Sequence, residues 1–281
     1  MRFIGLLLGM LSLPIVAATE MTSQIYDVDY GSDPNEVVLI FLSNGKVAKI
    51  SPENKPLLEK ITNTKTKKNW LTITVDKNRY IKKLGPAVQP PPTPLGPREE
   101  KIGQSTYVPT TIPSMDIAKK YFKEARYNPK DSQCFNRAHI WSYEWWKKHS
   151  LKSNKIIIFF SRTYIRRYNF EWWWHIAPLV HVMHEGKVVE RAMDVKYTRG
   201  PLEIGRWTNI FMRNDAPCQV ITKYSDYADN PYMGECYLHR ANMYTYQAAD
   251  LQMLEAWNYT KDRFLMDEVR GAYLEAFDER I

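Results

Sequence analysis

Cys134, His175 and Asp194 are the three residue types that together make an activated thiol nucleophile. A thiol adds to a carbonyl as the thiolate, and a base must take its proton. The base in turn needs an acid that fixes its tautomer and orientation. Cys134 stands in "DSQCFNRAHIWSYEWW", where Ala138, Trp141 and Trp145 follow it at helical spacing. Asp131 or Ser132 is the expected N-cap, which puts Cys134 in the first helical turn. Unpaired N–H groups at such a terminus stabilise a thiolate and can hold the oxyanion formed when the sulfur adds to a carbonyl.

The other two residues fall in "WWWHIAPLVHVMHEGKVVERAMDV", which reads as two antiparallel strands around a tight turn at "HEGK". A turn centred between His184 and Glu185 sets His175 directly opposite Asp194, within reach of each other on one face. A centre between Glu185 and Gly186 makes them a diagonal pair on that face. A three-residue loop without a bulge would put them on opposite faces.

Around these elements the chain divides in two at "LGPAVQPPPTPLGP", where six of 17 prolines fall between Pro86 and Pro97 and imply a stiff connector over residues 86–98. Before it, "VVLIFLSNGKVAKI" reads as a hairpin with positive φ at Asn44-Gly45, "PLLEKI" as at most a short helix, and "LTITVD" as a strand. Residues 19–85 are thus expected to form a small α+β unit, an accessory domain or a pro-segment. Residues 99–281 form the larger unit. It has a Ser114-capped helix in "SMDIAKKYFKEA", a strand in "KIIIFF" and a helical tail from Tyr244 to Glu279.

The order Cys, His, Asp, with a helix followed by antiparallel strands, is similar to papain-like and transglutaminase-like enzymes. The motifs "CFNRAH", "WHIAPLV", "RAMDV" and "WTN" more closely resemble those of the secreted protein-glutaminases. That resemblance implies an α+β fold with a nucleophile helix packed on an antiparallel sheet. It implies deamidation of protein-bound glutamine by a triad with Cys134 as nucleophile, His175 as base and Asp194 as orienting acid. It also implies an inhibitory pro-region in some members, and it suggests Trp207 as a residue capping the site. The matched motifs lie within roughly residues 130–215. Neither a cofactor nor a metal is required, and the partners would be proteins bearing exposed glutamine. The same triad serves a transglutaminase or a cysteine peptidase, and a non-catalytic secreted binding protein could retain the scaffold.

Each residue also has a structural reading. Cys134 could be a small buried hydrophobe, His175 a satisfied core histidine and Asp194 a strand end, with Asp215 or Asp226 as other orienters. His175 and His181 share a strand face while His184 falls in the turn, and no H-E-x-x-H or paired cysteines accompany them, so no metal site is expected. His139 points about 140° away from Cys134 around the helix and reads as packing. Arg137, one turn on, either orients the site or forms a surface ion pair. In "EWWW", alternation pairs Trp173 with His175 on one face and Trp172 with Trp174 on the other.

Composition sets the outer bounds. The 281 residues are 44% hydrophobic and 13% aromatic, enough for a sizeable folded core. The net charge of +8 is scattered, with clusters only at "NTKTKKN" and "YIRRY", and reads as solvated faces without a nucleic-acid motif. "MRFIGLLLGMLSLPIVAATE" reads as a signal peptide cleaved after Ala18, so residues 1–18 would be removed and the chain secreted or periplasmic, without stable membrane insertion. Export permits a disulfide, and Cys218 and Cys236, both near probable loops, are the expected pair; Cys134 is left free.

Overall fold

The computed structural model describes residues 18–67, 69–87, 107–127, 132–214 and 216–281. The expected signal peptide, but for Ala18, and most of the Pro-rich connector lie outside the described residues.

The N-terminal part holds strands β1 (Thr19–Ser23), β2 (Ile25–Asp29), β3 (Val38–Leu42) and β4 (Val47–Ile50), helix α1 (Lys55–Lys67), and strands β5 (Leu71–Val75) and β6 (Ile81–Pro86). They form two three-stranded sheets, β2-β3-β4 and β1-β5-β6. The β3–β4 hairpin forms as the sequence suggests, but only Gly45 of its turn takes positive φ, at 86°. Helix α1 runs 13 residues rather than a short piece. Ile61 is fully buried in the core shared by both sheets, so tertiary packing extends a helix whose later residues are polar.

The larger part begins with β7 (Thr111–Ile112), α2 (Met115–Glu124) and α3 (Cys134–His149). Ser114 caps α2 as expected, its hydroxyl accepting from the Ile117 N–H at 3.3 Å. There follow β8 (Asn154–Phe160), α4 (Arg162–Tyr168), β9 (Trp174–His184), β10 (Lys187–Ala192) and α5 (Ile204–Thr208). The chain ends with β11 (Gln219–Ile221), α6 (Tyr224–Ala228), β12 (Cys236–Asn242), α7 (Ala248–Ala256) and α8 (Met266–Phe277). The tail is therefore two helices with a break between.

One sheet in the order β10-β9-β8-β12-β11, with β7 added against β9, forms the frame. Its centre is a run of apolar residues, Ile156 to Phe160, none exposed, as a strand covered on both faces requires. Helix α3 packs on β9, with Trp141 and Trp145 in one apolar cluster with Val180 and Val182. Cys218 and Cys236 are disulfide-bonded, tying the approach to β11 to the start of β12. Closing a loop of that size constrains the unfolded chain by about 3 kcal/mol. Reduction is therefore expected to lower the melting temperature by roughly 5–10 °C, read by calorimetry with and without a thiol reductant.

The two parts share a core. Leu39, Phe41 and Val47 of the first hairpin join the cluster built on β8 and β9. Trp173 stacks on Tyr26 with ring centroids 4.5 Å apart, and its indole N–H donates to the Leu42 carbonyl at 2.7 Å. The "YIRRY" cluster, read from sequence as a solvated face, becomes helix α4 and binds the N-terminal part. Arg166 Nε donates to Asp29 Oδ2 at 3.0 Å, and Arg162 pairs with Asp27. The aspartates come from more than a hundred residues upstream, which no local reading of the arginines could reveal. Among the described residues no helix is long and apolar enough to cross a membrane.

Candidate active site

Cys134 is the first residue of α3 and is partly exposed. The residue before it, Gln133, occupies the N-cap position in an extended conformation without a side-chain capping bond. Of the expected caps, Asp131 lies outside the described residues. Ser132 serves Arg137 instead: its carbonyl and, at 3.2 Å, its hydroxyl accept from the buried guanidinium. The segment leading into Cys134 is thus tied to the helix one turn later. The N–H groups of Cys134, Phe135 and Asn136 have no partners within the helix by its geometry.

His175 is the second residue of β9, and Asp194 lies just beyond the end of β10. The turn between the strands is Glu185-Gly186, both at positive φ, and Lys187 pairs with His184. That is the diagonal register of the two permitted ones. The ladder stops at Ala192 opposite Leu179, and the Met193 N–H continues to the Pro178 carbonyl at 2.8 Å. His175 Nε2 then meets Asp194 Oδ2 at 2.7 Å, both side chains almost fully buried. Trp207 from α5 also donates to that oxygen, its Nε1 at 3.0 Å, so the carboxylate is held from two sides.

The other ring nitrogen, His175 Nδ1, has no nitrogen or oxygen partner among the described residues, which leaves it for the Cys134 sulfur. Burial raises the Cys134 thiol, but the charge and hydrogen bond of His175, the charge of Arg137 and the Ile176 N–H outweigh it and hold the thiol below its ordinary value. Burial lowers the His175 imidazole, but Asp194 and Cys134 outweigh it and push the ring up to about 9. Each group therefore favours the charged form of the other, thiolate beside imidazolium.

Aromatic rings wall the imidazole. Trp172 stacks on it at 5.4 Å, Phe211 lies 4.7 Å away and Tyr197 meets it edge-on at 5.2 Å. The alternation read from "EWWW" does not hold here, because β9 begins only at Trp174. Trp172 lies beside His175, whereas Trp173 turns into the core with Tyr26 and Tyr227.

Cys134 and His175 open onto a cleft of about 240 Å³, lined also by Arg137, Trp172 and Trp174. Two further lining residues, Asn44 and Lys46, come from the β3–β4 turn of the N-terminal part. Sequence reasoning missed them: nothing local to "SNGK" marks it as reaching a distant thiol. A larger cavity, about 390 Å³, lies between β12 and α7 and touches none of the three residues.

The remaining candidates separate from the site. Asp226 is exposed and accepts from Lys223 N–H at the start of α6, and Asp215 lies outside the described residues. His181 is 3.7 Å from Glu190 and His184 is 3.8 Å from Glu185, each on the hairpin away from Cys134. His139 is fully buried, with Nδ1 2.9 Å from Lys155 Nζ, which agrees with packing.

The architecture, a helix led by a cysteine and laid on a sheet whose central strands are antiparallel and whose β7–β9 and β11–β12 pairs are parallel, is an α+β fold of the protein-glutaminase type. It aligns with the crystal structure of pro- protein-glutaminase at a TM-score of 0.52 and 14% identity, over 91% of this chain and 92% of that one. The A47Q2 mutant of pro- protein-glutaminase aligns at 0.50 and 14%, over 82% and 85%. Residues 114–211, which contain Cys134, His175 and Asp194, match the model of a family described as Glutaminase. The chain thus resembles the protein-glutaminase family in this segment and in its fold. No curated protein sequence matches it.

Proposed function

We propose that this chain is an exported protein-glutamine deamidase that works through Cys134, His175 and Asp194. The observation that carries the reading is the buried 2.7 Å contact of His175 with Asp194 beside a thiol at a helix start, within a glutaminase-matching segment. The thiolate attacks the side-chain carboxamide carbon of a protein-bound glutamine, and the oxyanion is met by N–H groups at the start of α3. Imidazolium gives its proton to the departing nitrogen, ammonia leaves, and a thioester remains. Neutral imidazole then takes a proton from water, whose oxygen attacks the thioester to release glutamate and restore the thiol. Asp194, steadied by Trp207, holds the ring so that Nδ1 faces the sulfur in both steps.

Export is supported by the leader-like first 18 residues and the disulfide. The N-terminal part acts as a pro-segment, because Asn44 and Lys46 occupy the wall of the cleft where a substrate side chain would enter.

The test is ammonia release from a glutamine-rich protein. Wild type, once opened by proteolysis in the connector, is expected to release ammonia without cutting or cross-linking the substrate. Cys134→Ala is expected to lose at least about 10⁴-fold, because no other thiolate serves the site. Isopeptide cross-links or shortened substrate would replace the reading with a transglutaminase or a peptidase. No turnover by a folded chain would leave a binding protein.

The pH dependence has a defined sign. Below the lowered thiol value the sulfur is protonated and the rate falls; above about 9 the imidazolium loses the proton that ammonia needs, and it falls again. Alkylation of Cys134 reports the thiolate alone, so it is expected to titrate below the ordinary thiol range and to shift upward in His175→Ala. An ordinary thiol titration in wild type would contradict the ion pair.

A further inference from the structure

The turn that reaches the cleft is held there largely by main chain. Gly45 carbonyl accepts from the Trp173 N–H at 2.9 Å, and the Val47 N–H donates to the Glu171 carbonyl at 2.7 Å. Between them Lys46 pairs with Trp172 as an antiparallel bridge. Residues 171–173 lead directly into β9 and His175, so this short edge runs beside the reacting atoms. Above it, Trp174 is almost fully buried, lines the cleft and has an indole N–H with no hydrogen-bond partner among the described residues. Gly45 lies against that ring: an added Cβ would sit 3.3 Å from Nε1 and 3.1 Å from the Trp174 carbonyl. A buried donor without an acceptor is costly and uncommon, and here it faces a segment seated in the cleft.

We propose that the 171–173 edge and the Trp174 indole N–H form a main-chain docking site that selects glutamine in an extended, unpaired stretch of polypeptide. The inference rests on the deamidase reading and adds the substrate's conformation to it. When the turn leaves, the Trp173 N–H and the Glu171 carbonyl need partners, and an extended chain laid antiparallel supplies both. The Trp174 N–H then takes a carbonyl of that same chain, which the turn does not offer it. A glutamine in a helix has its neighbouring N–H and C=O groups already bonded and cannot pair here. Proteins with glutamine in loops, tails or locally unfolded segments are therefore the substrate class, and glutamine on a helix is refused.

The experiment uses the full chain nicked between Ala87 and Tyr107 and two peptides of one sequence around a single glutamine, one unstructured and one stapled as a helix. Docking is read as protection of Cys134 from alkylation, turnover separately as ammonia. The unstructured peptide is expected to protect at least about tenfold better than the helical one. A scan of single N-methyl amides should find a position beside the glutamine where methylation abolishes protection. Trp174→Phe should weaken protection about tenfold, measured relative to that variant's own alkylation rate without peptide. Equal protection by both peptides, absence of protection, or indifference to every N-methyl group overturns the proposal. Selective protection without ammonia supports the docking site and rejects the deamidase reading instead.

Discussion

Asp194→Asn is expected to lower kcat by about 10²–10⁴-fold while leaving the thiol in place. Asp194 Oδ2 accepts from His175 Nε2, which leaves Nδ1 to exchange its proton with the sulfur. An asparagine amide can donate to Nε2, which moves the ring's proton to Nδ1. A ring of that tautomer cannot accept the thiol proton. The carboxylate also sustains the imidazolium, so its loss lets burial pull the ring down from about 9. The mutant should therefore combine a fall in kcat with an upward shift of the thiolate in an alkylation pH profile. Trp207→Phe removes the second donor to the same oxygen and keeps the charge, so about tenfold is expected. Equal activity of Asp194→Asn and wild type would remove Asp194 from the mechanism. Asp194→Ala is a poorer test, because it strands a buried histidine and costs stability of about 3–5 kcal/mol.

Separating the N-terminal part from the cleft is expected to raise kcat/KM on a protein substrate by about 10² or more. A site covered nearly all the time binds substrate in proportion to its open fraction. Cutting the connector makes reseating bimolecular, although the Arg162–Asp27 and Arg166–Asp29 pairs and the stacked Tyr26 and Trp173 still favour association. Dilution after cutting should therefore increase activity further. A milder version acts within the intact chain. Gly45→Ala places a Cβ at φ of 86°, 3.1 Å from the Trp174 carbonyl, and disfavours the seated turn by about 1–2 kcal/mol. That corresponds to roughly a tenfold rise in basal ammonia release. If neither change raises activity, the turn does not block the substrate.

Local chemistry was legible in the chain to the extent that it depended on neighbours in sequence. Ser114 capped its helix, the Glu185-Gly186 turn set one of two permitted registers, and the apolar run at Ile156 became a central strand. The helix beginning at Cys134 was readable from the spacing of Ala138, Trp141 and Trp145. Helix α1 was underread, since its polar second half is stabilised by burying Ile61 against sheets that sequence spacing does not reveal. Trp172 and Trp173 escaped the alternation rule because they precede the regular strand, where backbone pairing no longer dictates the face.

The sequence alone determined which side chains could do the chemistry and which element carries each, because helix caps, turns and periodicity are properties of adjacent residues. Only tertiary structure decided that Trp207 supports Asp194, that α4 clasps two distant aspartates and that Asn44 and Lys46 line the cleft of Cys134. Those contacts join residues far apart along the chain, and their geometry is set by how sheets and helices pack together, which no local pattern encodes.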